Sequence, residues 1–301
     1  MSHETSSRAA SGRATLLIAL SACGFASIPI FVTFATRSGT PLLEVLVGRY
    51  SLAAALLAIL AWSTGTRRLQ RDGVRVLVVL GIAQALIAYC SLMALNYIPV
   101  ATLSFLFYTY PAWVAVIARI RRLEPLTRTR LIALAMSLFG VVVMVGSPTA
   151  ASLNPRGVAL ALSTALLYAI YIPLIAALQR ELTPAATAGY MATGATIIFL
   201  LAKMMSEGVA FHLNPVAVRS IIGLAVVSTT ISFMLFLRGL RTLGPVRTAI
   251  ISTIEPFCTA LLGARLLGQP LTKDTLLGGV FIAAAVVLLQ LRSENQAGRS
   301  S

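Results

Sequence analysis

Two segments, "YPAWVAVIARIRRLEPLT" at 110–127 and "EPFCTALLGARLLGQPLT" at 255–272, lie on one another when the chain is shifted by 145 residues. Pro111, Pro125, Leu126 and Thr127 fall over Pro256, Pro270, Leu271 and Thr272 without a gap. The same shift lays "ALN" (94–96) over "GLR" (239–241), and "SIP" (27–29) meets "YIP" (171–173) at nearly the same offset. Self-similarity over so long a period means that the chain is built twice from one unit.

That unit is a membrane bundle. Of 301 residues, 58% are hydrophobic and 11% charged, with a mean hydropathy of +0.89, against about a quarter charged in soluble domains. A helix needs about 20 apolar residues to cross the hydrocarbon. Ten runs qualify: 14–36, 41–63, 74–95, 99–119, 129–147, 156–178, 185–206, 216–237, 245–265 and 274–292. Breakers separate them, among them "RSGTP" (37–41), "NYIP" (96–99), "SPTAASLNP" (147–155), "LTP" (182–184), "LNP" (213–215) and "LGQP" (267–270). No connection has room for a soluble domain. The run 14–36 is too long and too interrupted for a signal peptide and reads as a retained helix.

The expected fold is therefore an all-α integral membrane protein of ten transmembrane helices. Its halves are 14–147 and 156–292. Five spans is an odd number, so the second half enters the bilayer from the opposite side, an inverted-topology repeat. Such repeats are the mark of secondary transporters, with the solute site near the midplane between halves.

A net charge of +15 does not mark a nucleic-acid binder, because the arginines sit between apolar blocks. With a cytoplasmic N-terminus, 17 of the 24 Lys and Arg fall inside, Arg67, Arg68, Arg71 and Arg299 among them; 6 fall outside, and Arg49 lies within a span. This obeys the positive-inside rule and places both termini in the cytoplasm of a bacterial inner membrane. Cys23, Cys90 and Cys258 are far apart and inside apolar runs, so no metal motif is read from them. No nucleotide-binding loop, zinc-protease motif or nucleophile motif with partners appears. No cofactor is expected, and no enzymatic activity.

Polar residues within spans should face protein or water. In the ninth span Thr248, Ser252, Glu255 and Thr259 recur at i, i+4, i+7 and i+11, one helix face. The matching face of the fourth span carries Leu103, Phe107, Tyr110 and Val114. A cavity between them would have one polar and one aromatic wall. Gln84 and Ser91 on the third span, with Thr229 and Ser232 on the eighth, extend the set. So do Ser27 on the first span, Tyr168 and Tyr171 on the sixth, and Tyr108 and Trp113 on the fourth. Each has a plainer reading: tyrosine and tryptophan as interfacial belt residues, serine and threonine bonding their own helix. Arg49 reads first as structural. Pro29, Pro111, Pro173 and Pro256 each leave a carbonyl without its amide, offering bend points and acceptors. Glu255 has three open roles: holding a substrate cation, carrying a proton, or locking the halves.

Each half resembles an EamA-type domain of the drug/metabolite transporter superfamily. The resemblance rests on the small-residue turn before a fourth helix, the mid-helix proline, and the "LEPLT" or "GQPLT" hinge into a glycine-containing fifth helix. Arg49 in "GRYSLAAALLA" matches an arginine common in the family's second helix, and Glu124 its acidic residue before the hinge. Gln269 departs from that pattern. The likeness covers 14–292. It implies export of small metabolites, with the aromatic-amino-acid exporter branch, of YddG type, having this size and layout. The expected partners are a small solute, amino acids first, and the lipid bilayer. The rival readings are a carrier or flippase for a lipid-linked metabolite, and an intramembrane lipid-modifying enzyme.

Overall fold

The computed structural model describes residues 2–63, 73–94, 96–98, 100–145, 154–206, 208, 210–268 and 270–297. The readings for Arg67, Arg68, Arg71, Gln269, Arg299 and most of 147–155 lie outside them, as do those for the side chains of Arg8 and Arg292.

The described chain is helical: α1 (Ser2–Phe25), α2 (Ile28–Arg37), α3 (Leu42–Ser63), α4 (Gly73–Ala94), α5 (Val100–Phe107), α6 (Tyr110–Ile120), α7 (Arg128–Val145), α8 (Pro155–Leu178) and α9 (Pro184–Ser206). There follow α10 (Pro215–Gly223), a π-helical segment (Leu224–Ile231), α11 (Ser232–Leu243), α12 (Pro245–Ser252), α13 (Ile254–Leu267) and α14 (Lys273–Ala297). Among the described residues nine helical stretches are long and apolar enough to cross a membrane. The 18-residue α7 covers the remaining run and lies along α14.

Several expected single spans are built from two pieces. Ala26 and Ser27 separate α1 from α2, Tyr108 and Thr109 separate α5 from α6, and Thr253 separates α12 from α13. In each case a proline stands in the first turn of the piece that follows, where its missing N–H costs nothing. Pro173 behaves differently and lies inside a continuous α8.

The helices pair across the repeat: α3 lies along α9, α1 along α11, and α4 against α8 and α9. Small residues make this close packing possible. A Cβ on Gly81 of α4 would stand 2.5 Å from the Cα of Gly194 on α9, so both must be glycine for the backbones to meet. Asn154 and Asn214 cap α8 and α10 through their side-chain oxygens, each with proline at the helix start.

One end of the bundle is tied between the 38–41 turn and the 210–214 segment. Asn214 Nδ2 donates to the Ser38 carbonyl at 2.8 Å, and Glu44 accepts from the His212 N–H at 2.7 Å. Lys203, only 1% exposed, lies 3.5 Å from the same carboxylate and donates to the Ala210 carbonyl at 2.6 Å. At the opposite end Glu124 pairs with Arg130 at 2.8 Å and accepts from the Val246 N–H at 3.2 Å.

Candidate functional site: a central aromatic cavity with one acid and one arginine

A cavity of about 380 Å³ lies between the halves. The first half contributes Phe25 to Val32, Leu42 to Tyr50, Gln84 to Ser91 and Leu103 to Tyr108. These come from the ends of their helices nearer the 38–41 turn. The second half contributes positions nearer the helix middles: Tyr168, Tyr171, Met191, Phe233, Phe236, Glu255 and Thr259. On the other side the interior is filled by Leu240, Leu243, Val246, Ile250 and Ile251, all buried. The first half's share of the lining is thus set toward the 38–41 end, while the second half's share reaches past the helix middles to Ile175 and Leu237.

Two ring clusters line it. Phe107 stands 5.2 Å from Tyr108 and 5.5 Å from Tyr168 between ring centres, and Tyr168 meets Tyr110 edge-on at 4.9 Å. Phe25 packs edge-on against Phe233 at 5.6 Å and Phe236 at 6.1 Å. Both are within the range of favourable aromatic pairs.

One basic and one acidic side chain stand in this lining, beside the neutral polar Gln84, Ser91, Ser104, Thr164 and Thr259. Arg49 donates through Nε to Thr229 Oγ1 at 2.8 Å, and its guanidinium lies 4.9 Å from the Tyr50 ring centre. Glu255, from the first turn of α13, faces the cavity within electrostatic reach of Arg49. Gln84 Nε2 donates to the Tyr50 hydroxyl at 3.0 Å, which fixes that ring beside the arginine.

Of the residues picked out from sequence, Gln84, Ser91, Phe107, Tyr108, Tyr168, Tyr171, Glu255 and Pro29 line the cavity. Tyr110 lies behind it, 1% exposed, with its hydroxyl 3.5 Å from the Ala249 carbonyl. Thr248 and Ser252 are buried deeper along α12, at 0% and 5% exposure, on the filled side. Ser27 bonds the Gly24 carbonyl at 2.6 Å and Ser228 Oγ at 2.7 Å. Thr229 holds Arg49 and bonds the Leu224 carbonyl, and Ser232 bonds the Val227 carbonyl. Both reach five residues back, as the π geometry allows. Trp113 is 42% exposed on the outer surface of α6. Pro111, Pro173 and Pro256 do not line the cavity among the described residues; Pro111 and Pro256 begin α6 and α13.

Sequence reasoning took Arg49 first as structural; the side chain is 6% exposed, is held by Thr229 and also lines the cavity. It missed Tyr50, Phe233 and Met191. Tyr50 carried a signal, as the residue next to the one arginine within a span; a phenylalanine or methionine in an apolar run carries none.

Residues 12–146 and 155–291 each match the EamA-like transporter family. The chain belongs to that family. It is 28% identical over 169 residues to the uncharacterized inner membrane transporter YicL of Salmonella typhimurium, covering 56% of each chain. It is 22% identical over 169 residues to protein PecM of Dickeya dadantii, covering 56% of this chain and 57% of that one. A 67-residue stretch, 22% of this chain and 25% of the other, is 40% identical to an uncharacterized transporter of Archaeoglobus fulgidus. The chain thus spans little more than half the length of the first of these relatives. A solved crystal structure superposes with a TM-score of 0.79 over 97% of this chain and 99% of its own, at 15% identity. That likeness establishes the shared fold.

Proposed function

We propose that the protein is a secondary transporter of the bacterial inner membrane that moves small zwitterions, amino acids with apolar or aromatic side chains first, through the central cavity. The observation that carries this reading is the cavity itself. A guanidinium and a carboxylate stand in a lining made mostly of rings and aliphatic groups, with Gln84, Ser91, Ser104, Thr164 and Thr259 as its neutral polar members. Arg49 would meet a carboxylate, Glu255 an ammonium group, and the ring clusters an apolar side chain. Buried charges in a span are retained where they face a partner or a path.

The arginine distribution supports a cytoplasmic N-terminus. The 38–41 turn then lies outside, so the first half's share of the lining sits in the outer part of the bundle. The buried stripe Thr248–Ser252 occupies the inner half, the part that would open when the halves rock. Export fits this arrangement as the family resemblance implies, and a gradient supplies the energy.

The test is uptake of labelled phenylalanine, tryptophan and alanine into proteoliposomes. Saturable movement of the aromatic amino acids, lost in Arg49→Ala, is the expected result. Failure of every amino acid, with movement of a lipid head group instead, would overturn the reading in favour of a lipid carrier.

A further inference from the structure

Cys23, near the end of α1, and Cys258, in the second turn of α13, are separated by 235 residues in sequence. Their sulfurs stand 2.8 Å apart, and both thiols are free. A disulfide needs about 2.0 Å between sulfurs, so closing the bond asks for less than about 1 Å of movement. The neighbouring backbone is already in register: Thr259 Oγ1 lies 3.5 Å from the Ala26 carbonyl across the same junction. Cys23 is exposed on the perimeter of a membrane-spanning stretch, where a lipid-soluble reagent reaches it. α1 belongs to the first half and α13 to the second. Phe25, two residues after Cys23, and Glu255, three before Cys258, both line the cavity.

We propose that Cys23 and Cys258 form an oxidisable pair whose disulfide staples the two halves of the protein together beside the cavity. The oxidant is a lipid hydroperoxide. In the first step the Cys23 sulfur takes the terminal peroxide oxygen; the O–O bond breaks, the hydroperoxide leaves as its alcohol, and Cys23 becomes a sulfenic acid. In the second the Cys258 thiol attacks that sulfur, the S–O bond breaks, and the lost proton and hydroxyl leave as water. Two thiols and one peroxide thus give one disulfide, one alcohol and one water. The tie holds α1 against α13 and restrains any separation of the halves at that junction. It stands on this geometry alone, whatever solute the cavity takes.

The experiment uses the full chain in liposomes, treated with cumene hydroperoxide, alkylated and digested. The expected product is a Cys23–Cys258 linked peptide, two hydrogens lighter than its parts and released by dithiothreitol, with Cys90 still alkylated. The oxidised protein should melt about 5 °C higher, and the rise should vanish on reduction and in Cys23→Ser. A linked peptide containing Cys90, alkylation of all three cysteines after treatment, or oxidation that stops at Cys23 alone would overturn the pair. An unchanged Tm in the cross-linked protein would overturn the staple. None of these readouts requires transport.

Discussion

The spans α5–α6 and α12–α13 are the same object built twice. Each breaks before a proline-headed helix, and the residue at the break, Thr109 or Thr253, keeps helical dihedrals and makes no side-chain cap. The faces at matching spacing are Leu103, Phe107, Tyr110 and Val114 in one, and Thr248, Ser252, Glu255 and Thr259 in the other. The backbone is common property; the chemistry is not. Even the matched residues point differently: Glu255 faces the cavity, while Tyr110 is buried behind Tyr168. Proline alone does not decide the break either. Pro29 heads a new helix where Ser27 ties the Gly24 carbonyl and Ser228, whereas Pro173 is absorbed within α8 among buried Ala169, Tyr171 and Ile172. At all three breaks a hydroxyl at the break bonds the carbonyl three residues back: Ser27 to Gly24, Thr109 to Leu106 and Thr253 to Ile250.

If that asymmetry carries function, changing the acid should matter far more than changing its twin. Glu255→Gln keeps shape and removes charge; solute uptake is expected to fall at least about tenfold, roughly 1.4 kcal/mol of barrier. Tyr110→Phe removes one long contact to the Ala249 carbonyl and should leave uptake within about twofold. Equal losses in the two variants would mean that the matched faces share one structural role, and the contrast would break.

A second comparison concerns how the halves pack. α4 meets α9 through Gly81 and Gly194, backbone on backbone. The corresponding pair by repeat, α3 with α10, meets through Gly48, where a Cβ would touch only the side chain of Ile221 at 3.0 Å. Gly194→Ala must push two helices apart and should cost about 1–3 kcal/mol, seen as a lower Tm in detergent. Gly48→Ala has a flexible neighbour to move and should cost less. The reverse order would show that the glycine pair is not the tighter contact.

The sequence carried the architecture because hydrophobic length and the repeat are written along the chain. It carried Glu255 for the same reason, since a charge in an apolar run has few uses. It did not carry the breaks at Ala26 and Tyr108, because a proline in an apolar run fits a broken and a continuous helix alike, as Pro173 within α8 shows. Nor did it separate Thr229, held by Arg49, from Gln84, which faces the cavity. Both are polar residues on span faces, and only packing tells which partner reaches them first. The partner of Arg49 was not legible either, since Glu44, the nearest acid in sequence, stands five residues away on the same helix and is poorly phased for it. Glu44 is engaged by Lys203 and His212, and the partner of Arg49 came from 180 residues away.

The smallest effect concerns the hinges. Glu124 stands in the first, between α6 and α7; Gln269 takes the matching place in the second, so Glu124→Gln makes the two alike. Burial pushes the Glu124 carboxyl above its ordinary value of 4.5, against the pull of Arg130, the Val246 N–H and Arg247. Folding then tightens proton binding. The group's contribution is fully present below the ordinary value and is lost as pH rises through the raised one. The neutral glutamine can still accept from Val246 but has no such dependence. The Tm of the wild type minus that of Glu124→Gln should therefore decrease between pH 4 and pH 7. A difference that grows with pH would mean that the Arg130 pair outweighs burial, and the acid would then be what makes the first hinge the firmer of the two.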